Sequence, residues 1–389
     1  MAGRGNGLGL DADVVVVGAG PAGAAAAIAC ARSGLRVALL ERSRLPRERP
    51  GETLHPGVEA PLRELGVLER VLAAGLPRHR GVWVTWDDEP RLVAYGADDS
   101  GPWQGFQALR APFDALLVQR AQELGAAVHE RCRALEPVLL DGRVAGVQTS
   151  DGMLRSRYVI DAAGAGHWLA RRLGVELDRR SPALIARYGY ATGSCPERDD
   201  APAIVADAAG WTWTARVGDG VYGWTRLALS QPRGGDAVAP AELGALVPAG
   251  RARSADVSWR AMRQAAGPGW VAAGDAAVVL DPASSHGVLR GLMTGRHAGR
   301  LVQAVLAGGD ERRLSASYGS FVAHWFEHDV RALEELYGRL PEPPAWLALS
   351  SRPAARSSAA RRSPAAPTSR RRHGHPRHQS ARRQGPRGR

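Results

Sequence analysis

Six residues near the N-terminus, Gly18-Ala19-Gly20-Pro21-Ala22-Gly23, have the spacing of a dinucleotide-binding turn. In such a turn Gly18 permits the sharp change of direction, Gly20 lets the backbone approach a pyrophosphate, and Gly23 allows close packing of a helix. Glu41 follows Gly18 by 23 residues, which is close to the distance at which an acidic residue accepts hydrogen bonds from ribose hydroxyls. These residues predict a site for the adenosine diphosphate part of a cofactor.

The elements around this turn must place it between a strand and a helix for the motif to bind phosphate. Residues 13–17 are a β-branched run typical of a strand, residues 22–33 an alanine-rich helix, and residues 35–40 a second strand. The pattern is a βαβ opening. A tight turn in an α/β protein that binds no nucleotide remains the alternative, and the turn alone does not separate NAD from FAD.

Three later segments carry a resemblance to a known family: Pro50-Gly51-Glu52-Thr53-Leu54-His55-Pro56-Gly57, Leu109-Arg110-Ala111-Pro112-Phe113-Asp114, and Gly274-Asp275 leading into Asp281-Pro282-Ala283-Ser284-Ser285-His286-Gly287. With them, the chain from about residue 13 to 340 resembles the FAD-dependent monooxygenase superfamily typified by p-hydroxybenzoate hydroxylase. The resemblance is greatest to the branch of tryptophan halogenases and peptidyl-tryptophan oxygenases. It implies FAD as cofactor and an α/β (α+β) fold, in which a Rossmann-like FAD-binding domain carries an inserted, largely antiparallel substrate sheet.

The resemblance also implies functional positions in these segments. Asp275 would bind the ribityl region, Arg110 would contact the cofactor, and the helix starting at Gly287 would direct its first amides at the flavin. The predicted cofactor-binding residues are Gly18, Gly20, Ala22, Gly23, Glu41, Arg42, Glu52, Arg110, Asp275, Pro282, Ser285, Gly287 and Val288. Glu52, His55 and His286 are the predicted catalytic residues, with roles in moving protons, although an ordinary loop Glu or His is an equally good explanation of the first two.

The predicted FAD-binding domain is discontinuous and consists of residues 11–80, 107–180 and 255–310. Residues 81–106 and 181–254 alternate apolar and polar side chains and predict the substrate sheet. Residues 311–350 are predicted to form a helical C-terminal region. Amphipathic patterns also predict helices at 111–125, 288–307 and 314–340.

Two departures from the halogenase pattern bear on the reaction. Halogenases of the branch use a lysine amine to relay hypohalous acid, but all 51 basic residues here are arginine, and the corresponding stretch begins His79-Arg80. The Trp-x-Trp-x-Ile-Pro segment of the halogenases appears as Trp211-Thr212-Trp213-Thr214-Ala215-Arg216. We therefore expect hydroxylation of an aromatic substrate, an indole or a peptidyl tryptophan, through a flavin C4a-hydroperoxide. A halogenase and an isoprenoid (geranylgeranyl) reductase remain alternatives, as do an inactive flavoprotein and a basic nucleic-acid binder.

Two further expectations concern the partners of the reaction. Ala163 stands where single-component hydroxylases have the aspartate of an Asp-Gly pair that helps to handle NADPH. This departure favours reduced flavin supplied by a separate reductase. Four tryptophans on the alternating strands are predicted to line an aromatic substrate pocket, although tryptophan on a sheet is more often part of the core: Trp83, Trp211, Trp213 and Trp224.

The net charge of +12 belongs to one end of the chain. Residues 351–389 contain 12 arginines and no acidic residue, whereas residues 1–350 contain 39 arginines and 39 acidic residues. The composition predicts a disordered basic tail, and we favour a non-native origin over a nucleic-acid-binding arm because no aromatic residue accompanies the arginines. Three widely spaced cysteines and the absence of an apolar targeting segment indicate a cytoplasmic protein with no metal, membrane or nucleic-acid partner.

Overall fold

A computed structural model describes residues 11–86, 89–229 and 239–347. The predicted tail at 351–389 lies outside these residues. The strands, in chain order, are β1 (Ala12–Val17), β2 (Val37–Glu41), β3 (Glu52–Leu54), β4 (Arg78–His79), β5 (Gly81–Thr85), β6 (Arg91–Ala94), β7 (Ala97–Asp98), β8 (Gly101–Pro102), β9 (Gly105–Ala108), β10 (Ala127–Glu130), β11 (Ala134–Leu140), β12 (Arg143–Thr149), β13 (Gly152–Asp161), β14 (Leu177–Arg179), β15 (Ile185–Thr192), β16 (Ala203–Asp207), β17 (Gly210–Gly218), β18 (Val221–Ala228), β19 (Val247–Asp256), β20 (Arg260–Met262), β21 (Ala266–Gly267), β22 (Trp270–Ala272) and β23 (Val278–Val279).

The α-helices are α1 (Pro21–Arg32), α2 (Glu59–Leu65), α3 (Leu68–Ala73), α4 (Arg110–Glu123), α5 (Trp168–Leu173), α6 (Gly287–Leu306) and α7 (Glu311–Tyr337). Short 3-10 turns occupy residues 56–58, 196–198, 241–243, 274–276 and 282–284. The strand, helix and strand predicted at 13–17, 22–33 and 35–40 are confirmed to within two residues. The helices predicted at 111–125, 288–307 and 314–340 are confirmed to within three.

An eight-stranded sheet carries the nucleotide-binding turn. Strands β10, β2, β1, β13 and β22 run parallel to their neighbours, and β12, β11 and β21 extend the sheet in antiparallel pairs. The four valines 14–17 of β1 are buried because the strand is central in the sheet, with β2 on one side and β13 on the other. The predicted cofactor residues lie at the carboxyl ends of three strands. Gly18 follows β1, Glu41 ends β2, and Gly274 and Asp275 come shortly after β22. The fold therefore gathers three of the predicted cofactor segments at one edge.

Helices α1 and α6 cross at very short distance, which brings their N-termini together. A Cβ atom at Gly295 would lie 2.1 Å from the carbonyl oxygen of Ala22, and one at Gly299 would lie 2.6 Å from Cβ of Ala29. Glycine on α6 and alanine on α1 thus allow backbone-to-backbone packing. As a result, the turn before α1 and the loop before α6 share one region of the surface.

A second sheet has seven strands in the order β19, β15, β18, β17, β16, β5, β6. Every pair is antiparallel except β16 with β5. The predicted class, an α/β FAD-binding fold with a largely antiparallel sheet, is confirmed. The seven strands come from residues 81–94 and 185–256, and β3, β9 and β4 form a small sheet of their own. No helix within the described residues is long and apolar enough to span a bilayer.

Candidate functional site

The glycines of the N-terminal turn have the steric roles that the motif requires. Gly18 adopts φ of 101°, and a Cβ atom there would lie 2.4 Å from the carbonyl oxygen of Ala162. A Cβ atom at Gly23 would lie 1.8 Å from the carbonyl oxygen of Gly18. At Gly20 the one atom within 4 Å is a guanidinium nitrogen of Arg47, at 3.0 Å, so no backbone crowds the face that a pyrophosphate would approach.

Glu41 is fixed where a ribose would bind. Its carboxylate accepts hydrogen bonds from the amides of Ala19 and Ser43, at 3.2 Å and 3.0 Å, and from Nε of Arg47 at 3.0 Å. The side chain is almost fully buried, whereas the neighbouring predicted residue Arg42 is exposed. Arg47 was not predicted from the sequence; an arginine six residues after the ribose-binding acid was the available signal.

A chain of ion pairs connects Arg47 with the loop around Glu52. Arg47 lies 3.7 Å from Asp114, and Arg110 pairs with Asp114 through Nε at 2.9 Å. Arg110 also donates to Glu52 at 2.8 Å. Burial alone would lower the pKa of Arg110, but Asp114 and Glu52 together hold it above its ordinary value. This buried guanidinium is therefore a permanent cation beside the predicted cofactor path.

Glu52 sits at the start of β3, between the cofactor turn and the seven-stranded sheet. About a third of its side chain is accessible, although protein surrounds the carboxyl group on most sides. Burial raises the pKa of Glu52 above its ordinary value, and the Arg110 cation opposes this rise without cancelling it. The charge of Asp275 also raises this pKa, so the segments around 52, 110 and 275 act on each other electrostatically.

The loop before α6 holds the remaining predicted residues. Asp275 is half exposed, Pro282 belongs to a 3-10 turn, and Ser285 adopts the left-handed conformation with φ of 56°. A Cβ atom at Gly287 would meet nothing within 4 Å, so the helix N-terminus opens into free space, while the next residue, Val288, is buried. This geometry fits a helix whose first amides receive a ligand.

His286 and His55 face each other at this loop. Their rings are 5.7 Å apart between centroids and nearly perpendicular. Nδ1 of His286 lies 3.1 Å from Asp329, and Nδ1 of His55 accepts a hydrogen bond from the amide of Gly57 at 3.0 Å. Burial and the neighbouring His286 lower the pKa of His55. The two predicted proton-handling histidines are therefore brought together, whereas Glu52 pairs with Arg110 instead.

Helix α7, which the sequence did not connect with the site, braces this loop. Asp329 is 2% exposed and also pairs with Arg290 of α6 at 3.2 Å. At the end of α7, the hydroxyl of Tyr337 donates to Asp281 at 3.0 Å. A signal was available for Asp329, because a carboxylate interrupts the apolar stripe formed by Val322, Phe326, Val330 and Leu333.

The four predicted substrate tryptophans occupy different environments. Trp211 is fully buried and donates to Tyr337 at 2.7 Å, and Trp83 is 39% exposed on β5. Trp213 and Trp224 line a narrow recess between the Glu52 loop and the seven-stranded sheet, together with Tyr188, Tyr190, Pro50 and Gly51. Nε1 of Trp213 donates to Thr53 at 2.9 Å, which ties this aromatic recess to the loop.

The segment around Ala163 is held by two buried side chains, Asp161 and His167, although Ala163 itself is exposed. Asp161 accepts hydrogen bonds from the amides of Ala163 and Leu169, at 2.9 Å and 2.8 Å, and burial raises its pKa to about 6. His167 accepts from Nε of Arg260 at 2.9 Å. This arrangement anchors the loop without an aspartate at position 163. Within the described part of the chain, no group of side chains could hold a metal ion.

The described residues fit FAD. The open glycine turn and buried Arg47 and Arg110 suit a pyrophosphate, Glu41 suits a ribose, and Asp275 offers an acceptor for ribityl hydroxyls. The free N-terminus of α6 suits the electron-rich edge of a flavin ring, because partial positive charge collects there. The fold and the site together define an FAD-dependent oxidoreductase.

Comparison with known proteins agrees with this assignment. Residues 11–233 match the family described as "FAD binding domain", and the chain belongs to it. A menaquinone reductase of Mycolicibacterium smegmatis is 31% identical over 315 residues, which cover 70% of this chain and 71% of that protein. The flavin-dependent halogenase armH4 of Armillaria mellea is 30% identical over 47% of this chain, and the match spans only 39% of the halogenase.

Two solved structures share the fold. The myxobacterial chondrochloren halogenase CndH superposes with a TM-score of 0.78 at 22% identity, covering 89% of this chain and 87% of that one. The peptidyl tryptophan dihydroxylase QhpG superposes with a TM-score of 0.68 at 23% identity, covering 87% and 78%. The predicted membership of the FAD-dependent monooxygenase and halogenase superfamily, and FAD as the cofactor, are confirmed.

Proposed function

We propose that the protein is a monooxygenase that hydroxylates an aromatic substrate, an indole or a peptidyl tryptophan. The observation that carries the proposal is the absence of any lysine from the sequence. The stretch that corresponds to the lysine segment of halogenases begins with His79, which is 3% exposed and packed against Gly105. Burial lowers its pKa, so it is a neutral imidazole enclosed by protein rather than an accessible amine.

Neighbouring Arg80 does not replace the lysine. A guanidinium stays protonated at all working pH values and is a poor nucleophile, so it cannot carry a halogen to a substrate carbon. Reduced FAD supplies the electrons that split dioxygen, with one oxygen atom going to the substrate and the other to water. Oxygenation needs no relay amine, which agrees with the residues present.

The aromatic recess supports an aromatic substrate. Trp213 and Trp224 line it, and Gly189 and Gly223 leave room for their rings, since a Cβ atom at Gly189 would lie 2.8 Å from Trp224. Aromatic walls favour a flat, electron-rich ring through stacking and edge contacts. Trp83 and Trp211 remain predicted substrate residues without a contact to this recess. The proposal includes a separate flavin reductase as partner, and a cytoplasmic location remains a prediction.

A second candidate is reduction of an isoprenoid or quinone double bond. It is favoured by the menaquinone reductase of Mycolicibacterium smegmatis, whose match covers 71% of that protein. Halogenation is a third candidate, favoured by relatives that are halogenases. The recess is too narrow as it stands to hold either an aliphatic chain or an indole, so the preference for oxygenation comes from the missing lysine and from the aromatic lining of the recess.

Mass spectrometry separates the three reactions. The protein is supplied with FAD, a flavin reductase and its NAD(P)H, bromide and ¹⁸O₂, and offered indole, tryptophan-bearing peptides or menaquinone. We expect ¹⁸O in the aromatic product and no bromine isotope pattern. Trp213→Phe should raise KM at least about threefold through the lost indole contact, whereas the exposed Trp103→Phe serves as the matched control. A brominated product, or a menaquinone heavier by two hydrogens, would contradict the proposal.

A further inference from the structure

His286 and Asp329 form a buried imidazole–carboxylate pair at the N-terminus of α6. His286 is the residue before the helix, 30% of its side chain is exposed, and its Nδ1 lies 3.1 Å from Oδ1 of Asp329. Asp329 is 43 residues away on α7 and is almost wholly buried. The pair therefore joins a partly accessible imidazole to a carboxylate shielded from water.

The charge of Asp329 fixes the proton on His286. Burial alone would raise the pKa of Asp329, but the hydrogen bond from His286 and the charges of His286 and Arg290 hold it below its ordinary value. The carboxylate is ionised and can only accept hydrogen bonds. Nδ1 of His286 must then carry the proton, and in the neutral imidazole Nε2 is left with a free lone pair.

His55 is fixed in the opposite tautomer. Its Nδ1 accepts the amide proton of Gly57 at 3.0 Å, so Nδ1 carries no proton in the neutral ring. Nε2 of His55 must therefore be an N–H donor. The two rings stand 5.7 Å apart, one offering a lone pair and the other a proton.

We propose that Asp329 is a positioning residue that makes His286 the proton acceptor of the site, while the Gly57 amide makes His55 its hydrogen-bond donor. The proposal rests on the proposed function and deepens it. When oxygen adds to a ring carbon of the substrate, the C–H bond at that carbon breaks and the electron pair returns to the ring. The proton goes to Nε2 of His286, and Asp329 stabilises the imidazolium until the proton passes to solvent.

The other charged and titratable neighbours are compatible with this assignment. From α6, Arg290 pairs with Oδ2 of Asp329 at 3.2 Å and leaves Oδ1 to the imidazoles. From α7, the exposed His328 also approaches Oδ1, at 3.2 Å. From the preceding segments, Tyr95 packs edge-on against His55 at 5.2 Å, and burial keeps its phenol neutral by raising its pKa.

Nitrogen NMR of ¹⁵N-histidine-labelled, FAD-loaded protein tests the assignment directly, with signals assigned through His286→Gln and His55→Gln. We expect neutral His286 to be protonated at Nδ1 and neutral His55 at Nε2. Asp329→Asn should give His286 a mixture of tautomers, because the amide can donate as well as accept. Glu327→Gln, on the same helix as Asp329, is the matched control. It removes an acidic charge that pairs with Arg180 and does not touch His286.

The oxygenation assay supplies the second readout. Asp329→Asn should lower kcat at least about tenfold, as expected for impaired general base catalysis, with KM and FAD content unchanged. In Asp329→Asn, Arg290 keeps only its 3.9 Å contact with Asp275. Should this prevent folding, Asp329→Asn with Arg290→Met removes both buried charges and should show the same mixture of tautomers. An Nε2-protonated His286 in the unaltered protein, or a single unchanged tautomer in these variants, would overturn the proposal. Because the NMR result needs no turnover, it stands apart from any failure of the oxygenase assignment.

Discussion

Acidic and basic side chains alternate along the predicted cofactor path, from Glu41 through Arg47, Asp114 and Arg110 to Glu52. Buried ion pairs are a costly way to stabilise a fold, because both partners lose their hydration. Their place beside an anionic pyrophosphate gives a better reason for them. The carboxylates hold the two arginines in position before the cofactor binds, so little side-chain entropy is lost on binding.

A single residue, Asp281, also predicts how the stability of the fold depends on pH. Burial raises its pKa from 3.8 to about 6, although Trp259 and Tyr337 donate hydrogen bonds to it. A carboxyl group with a raised pKa in the folded state favours folding when protonated. Its contribution is present below about pH 4 and is lost as the pH rises through about 6, by on the order of 3 kcal/mol in all.

Asp281→Asn mimics the protonated group and should remove this pH dependence. Urea unfolding at pH 4.5 and pH 7.5 would measure it: relative to the unaltered protein, the variant should gain about 2 kcal/mol in free energy of unfolding between the two pH values. The comparison with the unaltered protein cancels other carboxylates such as Asp329, whose lowered pKa has the opposite effect. A parallel pH dependence in the two proteins would show that Asp281 is ionised throughout.

Helix packing determines where the cofactor segments meet. The turn before α1 and the loop before α6 are more than 250 residues apart in sequence, and they adjoin because Gly295 and Gly299 allow α6 to lie directly on α1. Helix α7 then secures the α6 loop from behind, through Asp329 near its middle and Tyr337 at its end. The site thus depends on three helices, of which only the first two contain predicted cofactor residues.

Gly295→Ala tests this dependence, because the added methyl would lie 2.1 Å from the Ala22 carbonyl oxygen and must push the helices apart. We expect a loss of about 2–3 kcal/mol in stability, in the range of overpacked cores, together with weaker FAD binding. Gly319→Ala in α7 is the matched control: nothing lies within 4 Å of its Cβ position, and it should stabilise by up to about 1 kcal/mol. Equal effects of the two substitutions in thermal unfolding and flavin titration would refute a special role for the crossing.

For the whole molecule, the sequence predicted what local pattern and spacing encode. The glycine turn, Glu41, the βαβ opening and the helix at Gly287 all depend on neighbours within a few residues. Asp329, Arg47 and Arg290 were missed because their importance comes from partners on other elements, which no local pattern specifies. The predicted tryptophan pocket shows the same limit. Trp211 and Trp213 lie two residues apart on the same face of β17, yet Trp211 is fully buried beside Tyr337 and Trp213 reaches the recess, because alternation does not tell what each position along a strand meets.

Charge is also distributed over the whole molecule in a way that can be tested. Every predicted cofactor residue lies between Gly18 and Val288, and residues 1–350 have no net formal charge, whereas the tail carries all of it. Deleting 351–389 should leave FAD affinity within about twofold, a change of roughly 0.4 kcal/mol, as measured by quenching of flavin fluorescence. The same deletion should abolish retention on heparin, because 12 arginines no longer meet the polyanion. A collapse of FAD affinity would make the tail part of the cofactor site, and unchanged heparin retention would locate the basic surface on the folded body.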